Sequence, residues 1–276
     1  MKLAIVTDST CDLSAPELAA LRVARVHRDW LEIGPQQIAE AVAAGASLPS
    51  TSQPSPQDFE TVFAEAAAGG AEHILCLTIS SELSGTFQSA NLARSSVPVT
   101  VFDSRAASVG LGEMVKEAAR LRDAGAGLDE VMRAVEHIRD SNFLLFTVAS
   151  LEYLQKNGRI GGAQALLGSL LNIKPLLTLE DGKVAPAGRA RGTKKALREL
   201  VARTEAYASA HPGKLRVNFL HIQDPAAAET MRQELRAAGV AFEDRGVYEI
   251  GAVIAAHVGP GTFGMYMHTA PQAAPA

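Results

Sequence analysis

The chain has 276 residues, a length for one large domain or two ordinary ones. Hydrophobic residues make up 47% and charged residues 20%, the balance of a soluble globular protein, and the formal charge of -4 lacks the basic excess of a nucleic-acid binder. No apolar run reaches the ~18 residues of a membrane span, and the run in MKLAIVTDST is shorter than a secretory signal's. Cys11 and Cys76, the two cysteines, are too few for a disulfide framework. They read as buried thiols, which predicts a reducing, cytoplasmic setting.

KLAIVTD predicts a buried parallel strand that ends in Asp8-Ser9-Thr10. SAPELAAL follows as a helix with Ser14 as N-cap, Glu17 three residues on and Pro16 in the first turn. PQDFETVFAEAAA is a helix stopped by Gly69-Gly70; HILCLTI is a strand, GTFQSANLARSS a helix, VTVFDS a strand, and GLGEMVKEAARLRDAGAG and LDEVMRAVEHIRDS are helices. This alternation predicts an α/β N-terminal domain with a parallel sheet over residues 1–142. The rhythm then changes. FLLFTV is a strand, SLEYLQKNGRIGG a short helix broken by glycines, and KPLLTLEDGKVAPAGRARG a hairpin turning on Asp181-Gly182. A helix (GTKKALRELVARTEAYASA), a strand (LRVNFLHI), a helix (PAAAETMRQELRAAG) and a strand (IGAVIAAHVG) follow. Hairpins mixed with helices predict an α+β C-terminal domain with a mixed sheet over 143–276, its tail TAPQAAPA disordered.

Three hydroxyl-rich segments, TDSTCD, PSTSQPS (with Ser50, Thr51 and Ser52) and ISSELSG (with Ser80, Ser81, Ser84 and Gly85), follow predicted strands or precede predicted helices. Ligands of open parallel sheets bind at the carboxyl ends of the strands. Hydroxyls there suit a carboxylate or phosphate, and they equally suit caps and turns. HVGPGTFG spells Gly259-x-Gly261-x-x-Gly264, but no helical pattern follows as a dinucleotide fingerprint requires. A glycine turn that lets backbone approach a ligand fits better, with His257 at the end of the preceding predicted strand. A serine esterase using Ser81 or Ser84 with His257 and Asp103 is the enzymatic alternative, against which stands the lack of a G-x-S-x-G elbow. The histidines show no metal-binding spacing. Arg159 in NGRIGG and the cluster Arg189, Arg191, Lys194 and Lys195 are locally basic: a solvated helix start, or a contact for a phosphate or an acidic partner.

Taken in order, DSTCDL, TSQPS, SSELSGTFQSA, VFDS, GLG, KNGRI, IKP, RGTKKA and AAHVGPGTFG resemble the DegV family from Ile5 to Gly264. The resemblance implies a two-domain DegV-like fold that binds a long-chain fatty acid between the domains, with no cofactor and no catalysis of its own. In bacteria such proteins serve as the fatty-acid-binding subunit of fatty acid kinase and present the carboxylate to a separate ATP-dependent kinase protein that makes the acyl phosphate. By that resemblance Thr51, Ser52, Ser81 and His257 hold the carboxylate. Ser50, Ser84, Gly85, Arg159, Arg191 and Gly261 match further positions open to ligand or partner, with Ser84-Gly85 shaping the turn. The stretch from Leu21 to Thr51 is shorter than is usual in the family; it contains Trp30, which is expected to pack on the core or wall the pocket.

Overall fold

A computed structural model describes residues 2–26, 34–168 and 172–271. Trp30 and tail residues 272–276 lie outside the described residues. The described chain divides into two compact units, one of residues 2–26, 52–140 and 271, the other of residues 34–51, 141–168 and 172–270. Residues 34–51, which precede the boundary expected from the sequence, thus count with the second unit.

In chain order the first half contains β1 (Leu3–Thr7), α1 (Ala15–Ala20), β2 (Val23–Arg25), α2 (Pro35–Ala43, in the second unit), α3 (Pro56–Ala68), β3 (His73–Thr78), α4 (Thr86–Leu92), β4 (Val99–Asp103), α5 (Val109–Asp123) and α6 (Leu128–Asp140). β2, β1, β3 and β4 form a parallel sheet in that order. Apolar cores cover both of its faces, so β1 and β3 need apolar residues at nearly every position rather than at alternate ones. Ile5, Leu75 and Leu77 pack with Leu111, Met114 and Val135 of α5 and α6 on one side. Val6, Ile74 and Cys76 pack with Phe59 and Phe63 of α3 on the other. Ser14 with Glu17 and Ser55 with Asp58 close capping boxes at the starts of α1 and α3. The short β2 and the helix α2 were not anticipated from the sequence.

The second half adds β5 (Phe143–Thr147), α7 (Glu152–Lys156), β6 (Ile173–Glu180), β7 (Lys183–Arg191), α8 (Thr193–Ala210), β8 (Leu215–His221), α9 (Pro225–Ala237), β9 (Glu243–Glu249), α10 (Ala252–Val258) and β10 (Phe263–Thr269). Its mixed sheet runs β7-β6-β5-β10-β8-β9, with only β8 and β9 parallel. Asp181 and Gly182 both have positive φ, 48° and 80°, as a type I′ hairpin requires. Leu200 and Val201 of α8 and Ala228 and Met231 of α9 pack against Phe219, Met265 and Met267 of the sheet.

One assignment is corrected here. IGAVIAAHVG is not a strand: Ala252–Val258 is helix α10, and His257 lies in its last turn. A short apolar run does not separate a buried strand from a buried helix by periodicity alone, and the alanines favour the helix. The strands on either side are β9 and β10. β10 is central and buried along its whole length, and it carries Thr269, which the sequence placed in the disordered tail. α10 and its glycine turn run from helix into strand, the reverse of the strand-to-helix order of a dinucleotide fingerprint.

Candidate functional site

The hydroxyl segments of the first unit divide by burial. In TDSTCD the buried Asp8 carboxylate accepts from the Thr10 amide at 2.8 Å, from the Thr10 hydroxyl, and from the Ile79 amide at 2.8 Å. That joins the end of β1 to the end of β3, so this segment is architecture. Burial pushes the neighbouring Cys11 thiol up to about 12, which keeps it protonated and unreactive. In ISSELSG, Ser80 is buried and its oxygen accepts from the Glu82 amide at 3.3 Å. Ser84 accepts from the Thr86 amide at 3.3 Å and meets the Thr86 hydroxyl at 2.9 Å, the turn-forming role expected of it.

Ser81 is exposed. Its hydroxyl donates to Asp103 Oδ2 at 2.5 Å and its amide to Oδ1 at 3.1 Å, while the Arg105 amide adds a third bond to Oδ1 at 3.0 Å. In a nucleophilic triad a histidine would take the serine proton and the aspartate would orient the histidine. Here the serine hydroxyl donates a hydrogen bond directly to the aspartate, with no histidine between them.

Gln53, in the middle of TSQPS, went unremarked in the sequence. Its side-chain amide donates to Ser89 Oγ at 3.2 Å and lies so close to Gly85 that a Cβ there would sit 2.0 Å from Oε1. Gln53 and ISSELSG thus meet in the first unit, where the absence of a Cβ at Gly85 makes room for the Gln53 side chain. Ser50 and Ser52, on either side of Thr51, are exposed.

In the second unit, α10 carries His257, whose Nε2 meets Thr51 Oγ1 at 2.7 Å. The ring is half-buried, and its Nδ1 is buried with no hydrogen-bond partner. Burial, then the charge of Arg159, holds the imidazole pKa down at about 4, so it is neutral at pH 7. KNGRI builds the surroundings: the Asn157 side-chain amide donates to Tyr153 O at 3.2 Å and to Ala256 O of α10 at 3.1 Å, and the Arg159 guanidinium donates to Asn157 O at 2.8 Å. Gly259 and Gly261 follow α10 with φ of 77° and 71°. A Cβ on Gly259 would come within 2.7 Å of the Tyr153 ring, so its close neighbour is the protein's own aromatic side chain. Arg191 is exposed at the end of β7, and Lys194, Lys195 and Arg198 are exposed on the start of α8.

A 290 Å³ groove in the same unit is lined by Ala149, Leu151, Leu166, Leu167, Ile173 and Pro175 together with the polar Ser150, Glu152 and Gln155. Ala149 also lies 3.5 Å from where a Gly261 Cβ would be, which puts the groove beside the glycine turn. Among the described residues, no group of His, Cys, Asp and Glu side chains has the placement to hold a metal ion, and no helix is long and apolar enough to cross a membrane.

A parallel sheet with hydroxyls and an aspartate at its strand ends, followed by a mixed sheet whose histidine helix ends in a glycine turn, has known counterparts. The family model described as "Uncharacterised protein, DegV family" matches residues 2–269. A DegV domain-containing protein of Deinococcus radiodurans is 43% identical, over 96% of this chain and 98% of its own. One from Streptomyces coelicolor is 36% identical, over 95% and 97%. Among solved structures, a fatty-acid-binding DegV family protein from Thermus thermophilus superposes with a TM-score of 0.91 at 46% identity, covering 98% of this chain and all of that one. A stearic-acid-binding protein from Eubacterium ventriosum gives 0.87 at 26% identity, covering 98% of each. With the family pattern matched along nearly its whole length, this chain belongs to the DegV family.

Proposed function

We propose that the protein is a cytoplasmic carrier of one long-chain fatty acid, whose carboxylate is held by Thr51, Ser52, Ser81 and His257 and offered to a separate ATP-dependent kinase for acyl-phosphate formation. The observation that carries the reading is the Thr51–His257 bond beside an unpartnered Nδ1. Were the proton on Nδ1, a buried N–H would have no acceptor, the costlier of the two tautomers. With the proton on Nε2, His257 donates to Thr51, and the threonine's own O–H is left free to donate to an anion. The pair is then a two-step donor that ends in a hydroxyl, a weak base without nucleophilic activation.

Further features support the assignment. A relative of 46% identity binds fatty acid. In the groove beside Gly261, Leu151, Leu166, Leu167, Ile173 and Pro175 offer aliphatic contacts among polar neighbours, and each CH₂ buried against them contributes roughly 0.8 kcal/mol. The Ser81 hydroxyl donates to the Asp103 carboxylate rather than to a histidine, so it is not placed as the nucleophile of a triad. The exposed Arg191, Lys194 and Lys195 supply a basic face for an acidic partner surface, and the two buried free cysteines fit a reducing compartment.

Native mass spectrometry of protein from a bacterial host is expected to show a mass excess of one fatty acid. Adding ATP and a candidate kinase should convert that acid to its acyl phosphate. Protein that carries no lipid and takes up none when palmitate or oleate is added would end this reading.

A further inference from the structure

We infer that Asp103 is an internal competitor for the fatty-acid carboxylate: it holds the Ser81 hydroxyl proton in the ligand-free protein and yields it when the acid binds. This deepens the proposed function and rests on Ser81 being one of the head-group donors. The geometry is specific. Ser81 has one hydroxyl proton, and it lies 2.5 Å from Asp103 Oδ2. A serine oxygen whose proton is so placed turns only lone pairs outward. Toward an incoming carboxylate it is repulsive until the O–H rotates off Asp103.

The remaining bonds show what stays behind. Asp103 Oδ1 keeps the amides of Ser81 and Arg105, at 3.1 Å and 3.0 Å, whichever way the hydroxyl points. The turn therefore holds its shape while one bond is exchanged. Asp103 ends β4 and is half-buried, and Ser81 is exposed, so solvent and ligand reach the exchanging bond. The exchange replaces one charge-assisted bond by another. Little net affinity then comes from the Ser81 bond, and a carrier that must release its carboxylate to a second protein gains from that. Specificity for an anion is retained, because only an anionic acceptor matches what Asp103 already offers.

The test is the affinity of four proteins for palmitate: wild type, Asp103→Asn, Ser81→Ala and the double variant. An asparagine oxygen still accepts the two amide bonds but competes less for the hydroxyl, since hydrogen bonds to charged groups are the stronger class. Asp103→Asn should tighten palmitate binding roughly fivefold, and Ser81→Ala should abolish that gain. Unchanged or weaker binding by a folded Asp103→Asn protein overturns the inference, as does a gain that persists without Ser81. Should the variant not fold, a crystal structure of the wild type with palmitate decides. Ser81 Oγ is expected on the carboxylate and off Asp103, and a serine still bonded to Asp103 and out of reach of the ligand overturns the proposal. Wild type that binds no palmitate defeats the fatty-acid reading itself, which separates the two failures.

Discussion

Asp8 and Asp103 sit at the ends of two strands of one sheet and share three bonds of the same kinds. Each accepts the amide two residues ahead, of Thr10 or Arg105; each accepts an amide from the turn after β3, of Ile79 or Ser81; each accepts a hydroxyl, of Thr10 or Ser81. They differ in access. Asp8 is 2% exposed and Thr10 7%, whereas Asp103 is half-buried and Ser81 open to solvent. One carboxylate geometry thus serves as a fixed joint where water is excluded and as an exchangeable contact where a ligand can enter. The chemistry of the residues does not separate the two roles; burial does.

The sharpest way to break the comparison is to remove both carboxylates. Asp8→Ala leaves buried donors without acceptors, and each such group costs about 1–3 kcal/mol. A total loss of about 2–4 kcal/mol in urea-induced unfolding is expected. Asp103→Ala, whose donors turn to water, should lose less than about 1 kcal/mol. Equal losses would mean that both are joints.

The second unit repeats the contrast with two threonines. Thr262 is buried, and its hydroxyl donates to Gly259 O at 2.8 Å and Val258 O at 3.1 Å, which closes the turn after α10. Thr51 is half-buried, and its hydroxyl meets the His257 ring at 2.7 Å. Thr51→Val should weaken palmitate binding by roughly ten- to a hundredfold, the range of a hydrogen bond to a charged group, with little change in melting temperature. Thr262→Val should do the reverse, lowering stability by about 1 kcal/mol. Titration calorimetry and thermal melts on the same pair of proteins separate these outcomes.

Two glycines sharpen the point at smaller scale. Gly85 has an ordinary backbone and is needed for space, and what a Cβ would strike is the movable end of Gln53. Gly259 has a φ of 77° and faces the Tyr153 ring. Gly259→Ala should cost about 1–3 kcal/mol, from positive φ and overpacking together. Gly85→Ala should cost less than about 1 kcal/mol and show itself in a displaced Gln53. Differential scanning calorimetry is expected to rank them in that order.

The sequence was most legible where local chemistry and tertiary role agree. Ser14 with Glu17, and Pro56 behind Ser55, mark helix starts that hold in the structure, and the doubly covered β1 and β3 read as unbroken apolar runs. It was least legible near the C-terminus. α10 is as apolar as a strand, while β9 is an edge strand dense in charge, EDRGVYE, and therefore reads as a loop. At the site, hydroxyls and His257 stand out as residue types, but their partners do not. Thr51 and His257 are 206 positions apart and Ser81 and Asp103 are 22 apart, and no spacing rule links either pair. Gln53 carries no signal until Gly85 is seen beneath it.

The smallest expected effect is a pH dependence, and its sign tests the neutral imidazole directly. In the folded, ligand-free protein the pKa of His257 is about 4, against about 6.5 for a histidine in an unfolded chain. Between those values the unfolded chain binds a proton that the folded protein refuses, so stability falls as pH drops from 6.5 toward 4 and this group adds no further loss below that. Glu243 acts in a separate window: bonds from Lys214 and Arg245 hold its pKa at about 2, so its contribution is lost only as pH falls from the ordinary carboxylate range toward 2. Melting temperature measured from pH 7 to pH 5 should therefore drop in wild type and drop less in His257→Gln. Bound fatty acid changes the sign of the imidazole's surroundings. A carboxylate on the Thr51–His257 pair favours the charged ring and raises its pKa, so binding takes up a proton. Affinity for palmitate, taken relative to His257→Gln, should then rise in wild type as pH falls toward the ligand-free value of about 4. A wild-type to variant ratio that is flat from pH 7 to pH 4 would leave His257 as a structural support for Thr51 and assign the head group to the hydroxyls alone.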